Sequence, residues 1–297
     1  MTTYAEQLTA MMAKRNWSQG DVAQKIGMSH ATISAFISGN YAGNVEKLTG
    51  KIINLINREN KKDGMTCVST GFVMTETAKQ MLFVSDIARD DGDISVICGG
   101  AGLGKTSFLM HYARENPGSI LIETDPSFTA RAMLEGLCRK LSLDVKGNMH
   151  VLTEAVIKKL QNSGRVLLVD EAELLPYRAL EVIRRIHDKT RIGVVLVGLE
   201  RLVTNLKGRR GEFLQLYSRV GCCLKIGNEL PADDIRAIAG QLIDGDDDDL
   251  MATLYEKSGG NARRLSKLLR GAIRMVETNN KPVSTTIVRE FAKYLID

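Results

Sequence analysis

The sequence predicts an α/β fold in which a parallel sheet, with helices on both faces, lies between two all-helical domains. In the middle of the chain, five short apolar runs alternate with helical stretches, as expected for strands that are buried on both faces. A glycine-rich turn connects the first apolar run to a helix, and both ends of the chain show helical patterns only. These observations predict a small helical domain at residues 1–58, a polar linker at 59–70, a sheet domain at 71–230 and a helical domain at 231–297.

The apolar runs place the strands of the predicted sheet. They are residues 94–98, 119–124, 165–170, 193–198 and 222–226. Beyond Pro231 no comparable run follows, and the apolar residues recur at helical spacing instead. The sequence therefore predicts that the last domain is helical.

The N-terminal domain carries the pattern of a helix-turn-helix. Ser18 and Ser29 stand where they can cap two short helices, which Gly27 separates. If the second helix enters the major groove of DNA, it presents side chains that can hydrogen-bond to bases or phosphates. These side chains are His30, Thr32 and Ser34. The alternative is a small helical module for protein contacts, and for DNA binding one copy cannot span two half-sites, so several chains would have to act together.

The charge of the chain permits a polyanionic partner without proving one. The net charge is +5, and positive residues concentrate at 207–211 and in the series from Arg263 to Arg274. Each group is either a phosphate-binding surface or a solvated helix flank. No apolar run approaches the roughly 20 residues that a membrane-spanning helix needs, and the first residues lack the basic-then-apolar order of a secretory signal. We expect a protein of the cytoplasm with no membrane segment.

The glycine-rich turn predicts a phosphate-binding loop. Gly99, four further residues, then Gly104, Lys105 and Thr106 satisfy the pattern G-x-x-x-x-G-K-[ST] between an apolar strand and a helix. Backbone N–H groups and the helix N-terminus would face the phosphates, Lys105 would bridge the β- and γ-phosphates, and the Thr106 hydroxyl would bind Mg²⁺. The predicted ATP-binding loop comprises Gly99, Gly100, Ala101, Gly102, Leu103, Gly104, Lys105, Thr106 and Ser107. The alternative is a glycine-rich turn that binds no nucleotide.

A pair of carboxylates supports the nucleotide interpretation. Asp170 and Glu171 follow the apolar run "RVLLV", so Asp170 can hold the Mg²⁺ shell and Glu171 can orient or deprotonate the attacking water. A simple capping pair is the alternative, but it leaves the upstream loop unexplained. The sequence therefore predicts ATP hydrolysis with Mg²⁺ rather than phosphoryl transfer to another substrate.

Two arginines are candidates for contact with the γ-phosphate. Arg219 precedes the last predicted strand, where it could reach the nucleotide of a neighbouring subunit as an arginine finger. Arg263 stands at the start of a helix of the last domain and could transmit the loss of the γ-phosphate to that domain. A surface ion pair is the alternative for each of them.

The order of these parts resembles the AAA+ ATPases of the initiator branch. The parts are the phosphate loop, the Asp-Glu strand, "SRV" before the last strand and "GNAR" at the start of a helix. With the helix-turn-helix in front, the chain resembles the Mu-type transposition B family over nearly its whole length. Segments such as "SHATISAFISGNYAGNVEKL", "FVMTETAKQ", "VICGGAGLGKT" and "VLLVDEAELL" carry this resemblance.

The resemblance implies a protein that binds double-stranded DNA with little sequence demand when ATP is bound, and that assembles with itself into a helical filament. Such a protein presents target DNA to a DDE transposase, stimulates strand transfer and leaves the DNA when ATP is hydrolysed. The resemblance also places Phe72 and Val73 beside the adenine. The candidates for tracking DNA phosphates inside the filament are Arg184, Arg185, Lys207, Arg209 and Arg210.

The chain departs from the AAA+ pattern at the tip of the fourth strand. AAA+ proteins usually carry a polar residue there that positions the attacking water, whereas this sequence has Leu199, followed by Glu200. Either hydrolysis is slow or another polar residue takes over this role.

Two other functions remain compatible with the sequence. A loader of a hexameric helicase would share every ATP-binding residue and differ in its partner. A transcription regulator would use ATP to switch operator binding, and the helix-turn-helix mildly favours it over the loader.

Overall fold

The structure is a computed structural model that describes residues 2–64, 71–208, 214–243, 247–279 and 282–295. The chain divides into two compact units, Met1–Ser69 and Thr70–Asp297. In the described parts of the chain, no helix is both long enough and apolar enough to cross a lipid bilayer.

The first unit is a bundle of four helices, which confirms the predicted helix-turn-helix. The helices are α1 (Thr2–Arg15), α2 (Gln19–Ile26), α3 (His30–Ile37) and α4 (Val45–Gly64). Ser18 caps α2 and Ser29 caps α3 as expected, and Gly27 ends α2 in the left-handed conformation that favours glycine. The core of this unit contains Leu8, Val22, Ile33, Phe36, Leu48 and Ile52.

Helix α4 extends farther than the sequence predicts. It continues to Gly64, so residues 59–64 are helical rather than part of a linker. Leu55 and Ile56 are buried in the core, and Glu59, which is 2% exposed, lies 3.6 Å from the guanidinium of Arg15. These contacts stabilise turns of the helix whose local sequence is polar.

The second unit contains a five-stranded parallel sheet, and all five predicted strands are confirmed. The strands are β1 (Ile94–Cys98), β2 (Ser119–Glu123), β3 (Val166–Asp170), β4 (Gly193–Gly198) and β5 (Val220–Lys225). Their order in the sheet is β2-β3-β4-β1-β5, and every pair is parallel. The carboxyl ends of the strands therefore meet at one edge of the sheet.

Helices cover both faces of this sheet. They are α5 (Glu76–Asp91), α6 (Lys105–Glu115), α7 (Ala130–Lys140), α8 (Met149–Leu160), α9 (Tyr177–Thr190), α10 (Arg201–Lys207) and α11 (Leu214–Tyr217). On one face Val96 and Leu196 pack against residues of α7, α8 and α9. On the other face Ile97 and Val195 pack against residues of α5 and α6, including Phe108. The central strands are buried on both sides because helices lie above and below them.

Within the described residues, four helices follow the sheet: α12 (Ala232–Ala239), α13 (Asp248–Ser258), α14 (Ala262–Asn279) and α15 (Thr285–Ala292). This confirms the predicted helical region. Their apolar residues form a separate cluster, and Leu103 of the glycine-rich loop packs into it. A buried carboxylate adds a polar link, because Asp234 of α12 accepts hydrogen bonds from the backbone N–H groups of Glu76 (3.0 Å) and Thr77 (3.2 Å) at the start of α5.

Candidate nucleotide-binding site

The glycine-rich loop runs from β1 to α6 at the carboxyl edge of the sheet. The N–H of Gly99 donates to the carbonyl of Gly198 (3.2 Å), and the N–H of Gly100 donates to that of Gly227 (2.8 Å). A Cβ on Gly99 would overlap the side chain of Ile226 and lie 2.8 Å from the oxygen of Gly227. Only glycine therefore allows the loop to lie this close to the neighbouring strand end.

Lys105 is the cation of this loop. Its Nζ donates to the carbonyl oxygens of Gly99 (2.8 Å) and Gly100 (2.5 Å), and the side chain is buried. Burial lowers the pKa of Lys105, and the nearby carboxylates of Glu173 and Asp170 partly offset this shift. The ammonium group thus stands at the start of α6, where the phosphates of a bound nucleotide would also be attracted.

Thr106 and Asp170 form an oxygen-rich pair next to this cation. The Thr106 hydroxyl donates to Oδ2 of Asp170 at 2.6 Å, and the backbone N–H of Glu171 donates to Oδ1 at 2.9 Å. A hydroxyl and a carboxylate are hard oxygen ligands of the kind that Mg²⁺ prefers. The residues present therefore fit a magnesium ion that is bound together with substrate phosphates.

Glu171 follows in an unusual backbone conformation. Its φ of 51° and ψ of 37° lie in the left-handed region, which is uncommon for a residue other than glycine. The hydroxyl of Thr124 donates to the carbonyl oxygens of Asp170 (2.9 Å) and Glu171 (2.7 Å) and fixes this turn. The exposed Glu171 lines the same cleft as Lys105 and Thr106.

These residues surround a cleft of about 520 Å³ between the carboxyl edge of the sheet and the C-terminal helices. The predicted residues that line it are Phe72, Val73, Ala101, Gly102, Leu103, Gly104, Lys105, Thr106, Ser107, Asp170, Glu171 and Arg263. Gly99 and Gly100 do not line the cleft, and they contribute the loop's contacts with β4 and the segment after β5. The volume is in the range of small-molecule sites.

Sequence reasoning missed several polar residues that line the cleft: Glu173, Arg201, Ser266 and Arg270. Arg270 could have been found, because it follows Arg263 by seven residues on the same helix and thus shares its face. Glu173 gave no such signal, since its position depends on a short 3₁₀ turn, Ala172–Leu174, after β3.

Phe72 lies at the cleft, but its ring is already in contact with the protein. It stacks on His111 with 4.2 Å between the ring centroids and 16° between the planes. Phe108 lies farther away, at 6.4 Å. The predicted contact of Phe72 and Val73 with adenine stays a prediction, and the stacking shows that the Phe72 ring is held in place.

The start of α14 is tied to the glycine-rich loop. The side-chain amide of Asn261 donates to the carbonyl of Ala101 at 2.8 Å, and the backbone N–H of Arg263 donates to that of Gly102 at 3.1 Å. These bonds place Arg263 in the cleft lining. A change in the loop would therefore act directly on this helix.

Arg219 lies outside the cleft lining of its own chain. Its Nε donates to Oδ1 of Asp188 at 3.1 Å, and the side chain is 44% exposed. A surface ion pair is the alternative to a role as an arginine finger, and contact with a neighbouring nucleotide stays a prediction.

The predicted DNA-binding residues of the first unit differ in their availability. His30 is exposed at the start of α3, and Ser34 is half-buried. The hydroxyl of Thr32 lies 2.8 Å from that of Ser29 in the cap of the helix. Thr32 thus has a local partner that the sequence pattern did not reveal.

The predicted basic residues of the second unit also have partners within the chain. Arg184 forms ion pairs with Glu181 and Asp188. Arg185 pairs with Glu154 at 2.9 Å. The Nζ of Lys207 lies 4.6 Å from the ring centroid of Tyr217. The other two predicted residues, Arg209 and Arg210, lie outside the described residues.

Two protein families match the chain, each over one part of it. The AAA domain family matches residues 88–206, which include the glycine-rich loop and the Asp170–Glu171 pair. A helix-turn-helix family matches residues 8–48. These matches agree with the two units of the structure.

Characterised relatives are similar to the chain over most of its length. The DNA transposition protein B of the Mu-like prophage FluMu of Haemophilus influenzae is 25% identical over 268 residues, which cover 87% of this chain and 92% of the relative. The ATP-dependent target DNA activators B of Escherichia phages Mu and D108 are each 29% identical over 275 residues, which cover 91% of this chain and 87% of the relative.

Solved structures share the fold of the second unit. The ORC2 protein of Aeropyrum pernix, in ADPNP–ADP complexes, gives a TM-score of 0.57 at 18% identity and covers 74% of this chain and 68% of that chain. The RuvB Holliday junction branch migration motor of Thermotoga maritima gives a TM-score of 0.52 at 20% identity and covers 75% of this chain and 70% of that chain. Domain III of the Thermotoga maritima replication initiation protein DnaA gives a TM-score of 0.51 at 18% identity and covers 76% of this chain and 95% of that chain.

Proposed function

We propose that this chain, which is a AAA+ ATPase with an N-terminal helix-turn-helix domain, is an ATP-dependent DNA-binding protein that activates DNA transposition. The observation that carries the proposal is a cleft lined by the glycine-rich loop and the Asp170–Glu171 pair, in the same chain as a helix-turn-helix. Relatives named for transposition and for target DNA activation match about nine-tenths of the chain.

Hydrolysis would use the residues that line the cleft. Lys105 would exchange the carbonyls of Gly99 and Gly100 for oxygens of the β- and γ-phosphates, and Thr106 and Asp170 would hold Mg²⁺. When bound, this ion supplies positive charge that offsets the charge of the phosphates. The oxygen of a water molecule attacks the γ-phosphorus, Glu171 accepts its proton, and the bond to the bridging oxygen of ADP breaks.

We further propose that ATP controls assembly on DNA. One helix-turn-helix offers a small DNA contact, so high affinity requires many chains along the same duplex. The exposed Arg219 of one chain would reach the γ-phosphate in the cleft of the next. Chains joined in this way would form a filament, deliver the bound DNA to a DDE transposase and leave when hydrolysis removes the γ-phosphate.

The test is assembly on random-sequence duplex DNA with ATP, with ADP and without nucleotide. Electron microscopy and co-sedimentation should show long assemblies with ATP only, and their formation should weaken steeply as salt rises. Binding that needs no nucleotide and is confined to one palindromic operator would contradict the proposal and favour a transcription regulator. If a replicative helicase bound the chain while duplex DNA did not assemble it, the loader function would be favoured instead.

A further inference from the structure

Glu173 is a buried carboxylate with one unsatisfied oxygen in the nucleotide cleft. It lies in the 3₁₀ turn after β3, and its side chain is only 4% exposed. Oε1 lies 3.7 Å from Nη2 of Arg201. Oε2 is buried and has no hydrogen-bond partner among the described residues. Leaving a buried acceptor unsatisfied is costly, and a charged one more so, so a donor brought by the ligand would stabilise this group.

The tip of β4 packs closely against this carboxylate. A Cβ on Gly198, the last residue of β4, would overlap Oε2 of Glu173. The next residue, Leu199, lines the cleft but carries no polar group. Glu173 therefore occupies the space beside the strand tip, where Leu199 offers no polar group. Glu200, the other acidic candidate near this tip, is exposed and is not part of the cleft lining.

The position of Glu173 also relates it to the phosphate-binding residues. It lines the cleft together with Lys105, Thr106 and Asp170. Among the carboxylates that partly offset the effect of burial on the pKa of Lys105, Glu173 acts most strongly. Glu173 therefore lies in the same cleft as the lysine that would hold the phosphates.

We propose that Glu173 accepts a hydrogen bond from the attacking water and orients it, in place of the polar side chain that is absent at Leu199. A water molecule has two O–H bonds. If one points at Glu171, which takes the proton, and the other at Glu173, the oxygen lone pair is directed at the γ-phosphorus. Glu173 takes no net proton in this step. The inference rests on the proposed hydrolysis at this site.

The first experiment compares Glu173→Ala with Glu200→Ala, which removes an exposed carboxylate near the same strand tip. Binding of a fluorescent ATP analogue and single-turnover hydrolysis are measured for both variants, for the parent and for Lys105→Ala. We expect Glu173→Ala to bind ATP as the parent does and to hydrolyse it on the order of 10²-fold more slowly, since the water loses one of two orienting contacts. Glu200→Ala should match the parent.

Two further variants separate water positioning from a structural role. Leu199→Asn, added to Glu173→Ala, should restore part of the rate because it places a polar group at the strand tip. Gly198→Ala should slow the parent by displacing the carboxylate, yet add little to Glu173→Ala. This non-additivity is expected only if both changes act through the same group. Gly198→Ala keeps the test available if Glu173→Ala does not fold.

Several outcomes would overturn the inference. These are hydrolysis by Glu173→Ala at the parental rate, loss of ATP binding as in Lys105→Ala, additive effects of Gly198→Ala and Glu173→Ala, and no gain from Leu199→Asn. The proposed hydrolysis itself is tested separately, because equal rates for the parent and Lys105→Ala would count against that function whatever Glu173 does.

Discussion

At the scale of single residues, the contacts of Lys105 show how the loop holds a cation where phosphates would bind. The loop carbonyls of Gly99 and Gly100 hold its ammonium group by hydrogen bonds, and burial lowers its pKa while Glu173 and Asp170 counteract the shift. Phosphate oxygens are stronger partners than carbonyls because they carry charge. The loop therefore holds Lys105 by contacts that phosphate oxygens could replace.

Replacing Lys105 by alanine should abolish ATP binding and, with it, ATP-dependent DNA binding. The variant loses the charge that the β- and γ-phosphates require, while the fold keeps its strands and caps. Lys79→Ala removes an exposed lysine that pairs with Glu76 and serves as the control. Nucleotide binding and DNA co-sedimentation are the measurements, and parental ATP affinity in Lys105→Ala would contradict the assigned role.

Glu171→Gln should separate ATP binding from hydrolysis. Glutamine keeps the shape of the side chain but cannot accept the proton of the attacking water, so hydrolysis should fall by about 10² to 10⁴. Because the γ-phosphate then stays in place, the DNA complex should persist far longer in a competitor-challenge experiment. If this variant left DNA as fast as the parent, hydrolysis would not control release.

At the scale of elements, the start of α5 depends on a residue far away in sequence. Asp234 of α12 accepts hydrogen bonds from Glu76 and Thr77 at the first turn of α5, and it is 2% exposed. Carboxylates are favourable at a helix N-terminus because its N–H groups lack partners within the helix. This contact links the C-terminal helices to the segment that carries Phe72 and Val73 into the cleft.

Asp234→Ala should therefore destabilise the second unit. It leaves two N–H groups without their acceptor in a buried place, which costs about 2 kcal/mol or roughly 4–8 °C in Tm. Asp233→Ala changes an exposed neighbour in the same turn of α12 and should leave Tm unchanged. Thermal unfolding followed by circular dichroism checks both variants. Equal Tm values for the two would show that the contact does not stabilise the fold.

The elements themselves follow from local sequence better than the contacts between them. All five strands were predictable, because β1, β3 and β4 are continuous apolar runs that only a sheet covered on both faces accommodates. Strand β5 begins at Val220, two residues before the predicted start, since it is an edge strand whose burial alternates. The end of α4 was not predicted, because Glu59 pairs with Arg15 of another helix and the local sequence does not reveal this contact.

The residues of the candidate nucleotide site likewise include some that local sequence predicts and others that depend on contacts between elements. Lys105 and Thr106 were predictable because strand, loop and helix are consecutive in the chain, and Asp170 was predictable because it ends a continuous apolar run. Glu173 and Arg201 were not, since a 3₁₀ turn and the approach of β4 to β3 bring them into the cleft. The local partner of Thr32 was also hidden, because a cap uses hydroxyl geometry that sequence spacing does not specify.

At the scale of the whole molecule, the two predicted arginines differ in a way that bears on assembly. Arg263 lines the cleft of its own chain, so a single chain can place it near its own nucleotide. Arg219 is half exposed, lies outside the cleft lining and pairs with Asp188. A residue that acts on the nucleotide of another chain must be exposed in this way. Arg219 could give up its surface ion pair for another partner, because such a pair contributes only a little stability.

Mixing variants tests whether Arg219 acts on a neighbouring chain. Arg219→Ala should bind ATP but hydrolyse it on the order of 10³-fold more slowly in the presence of DNA, because the developing charge on the γ-phosphate loses its cation. Lys105→Ala has no working site of its own but still carries Arg219. A mixture of the two variants should therefore hydrolyse ATP faster than the sum of their separate rates, since intact arginines then face intact clefts. Asp188→Ala removes the ion pair with Arg219, together with the one that Asp188 forms with Arg184, and should keep near-parental activity. If Asp188→Ala were as inactive as Arg219→Ala, an ion pair of Asp188 would be the important feature. A mixture whose rate equalled only the sum of the two separate rates would show that Arg219 acts within its own chain.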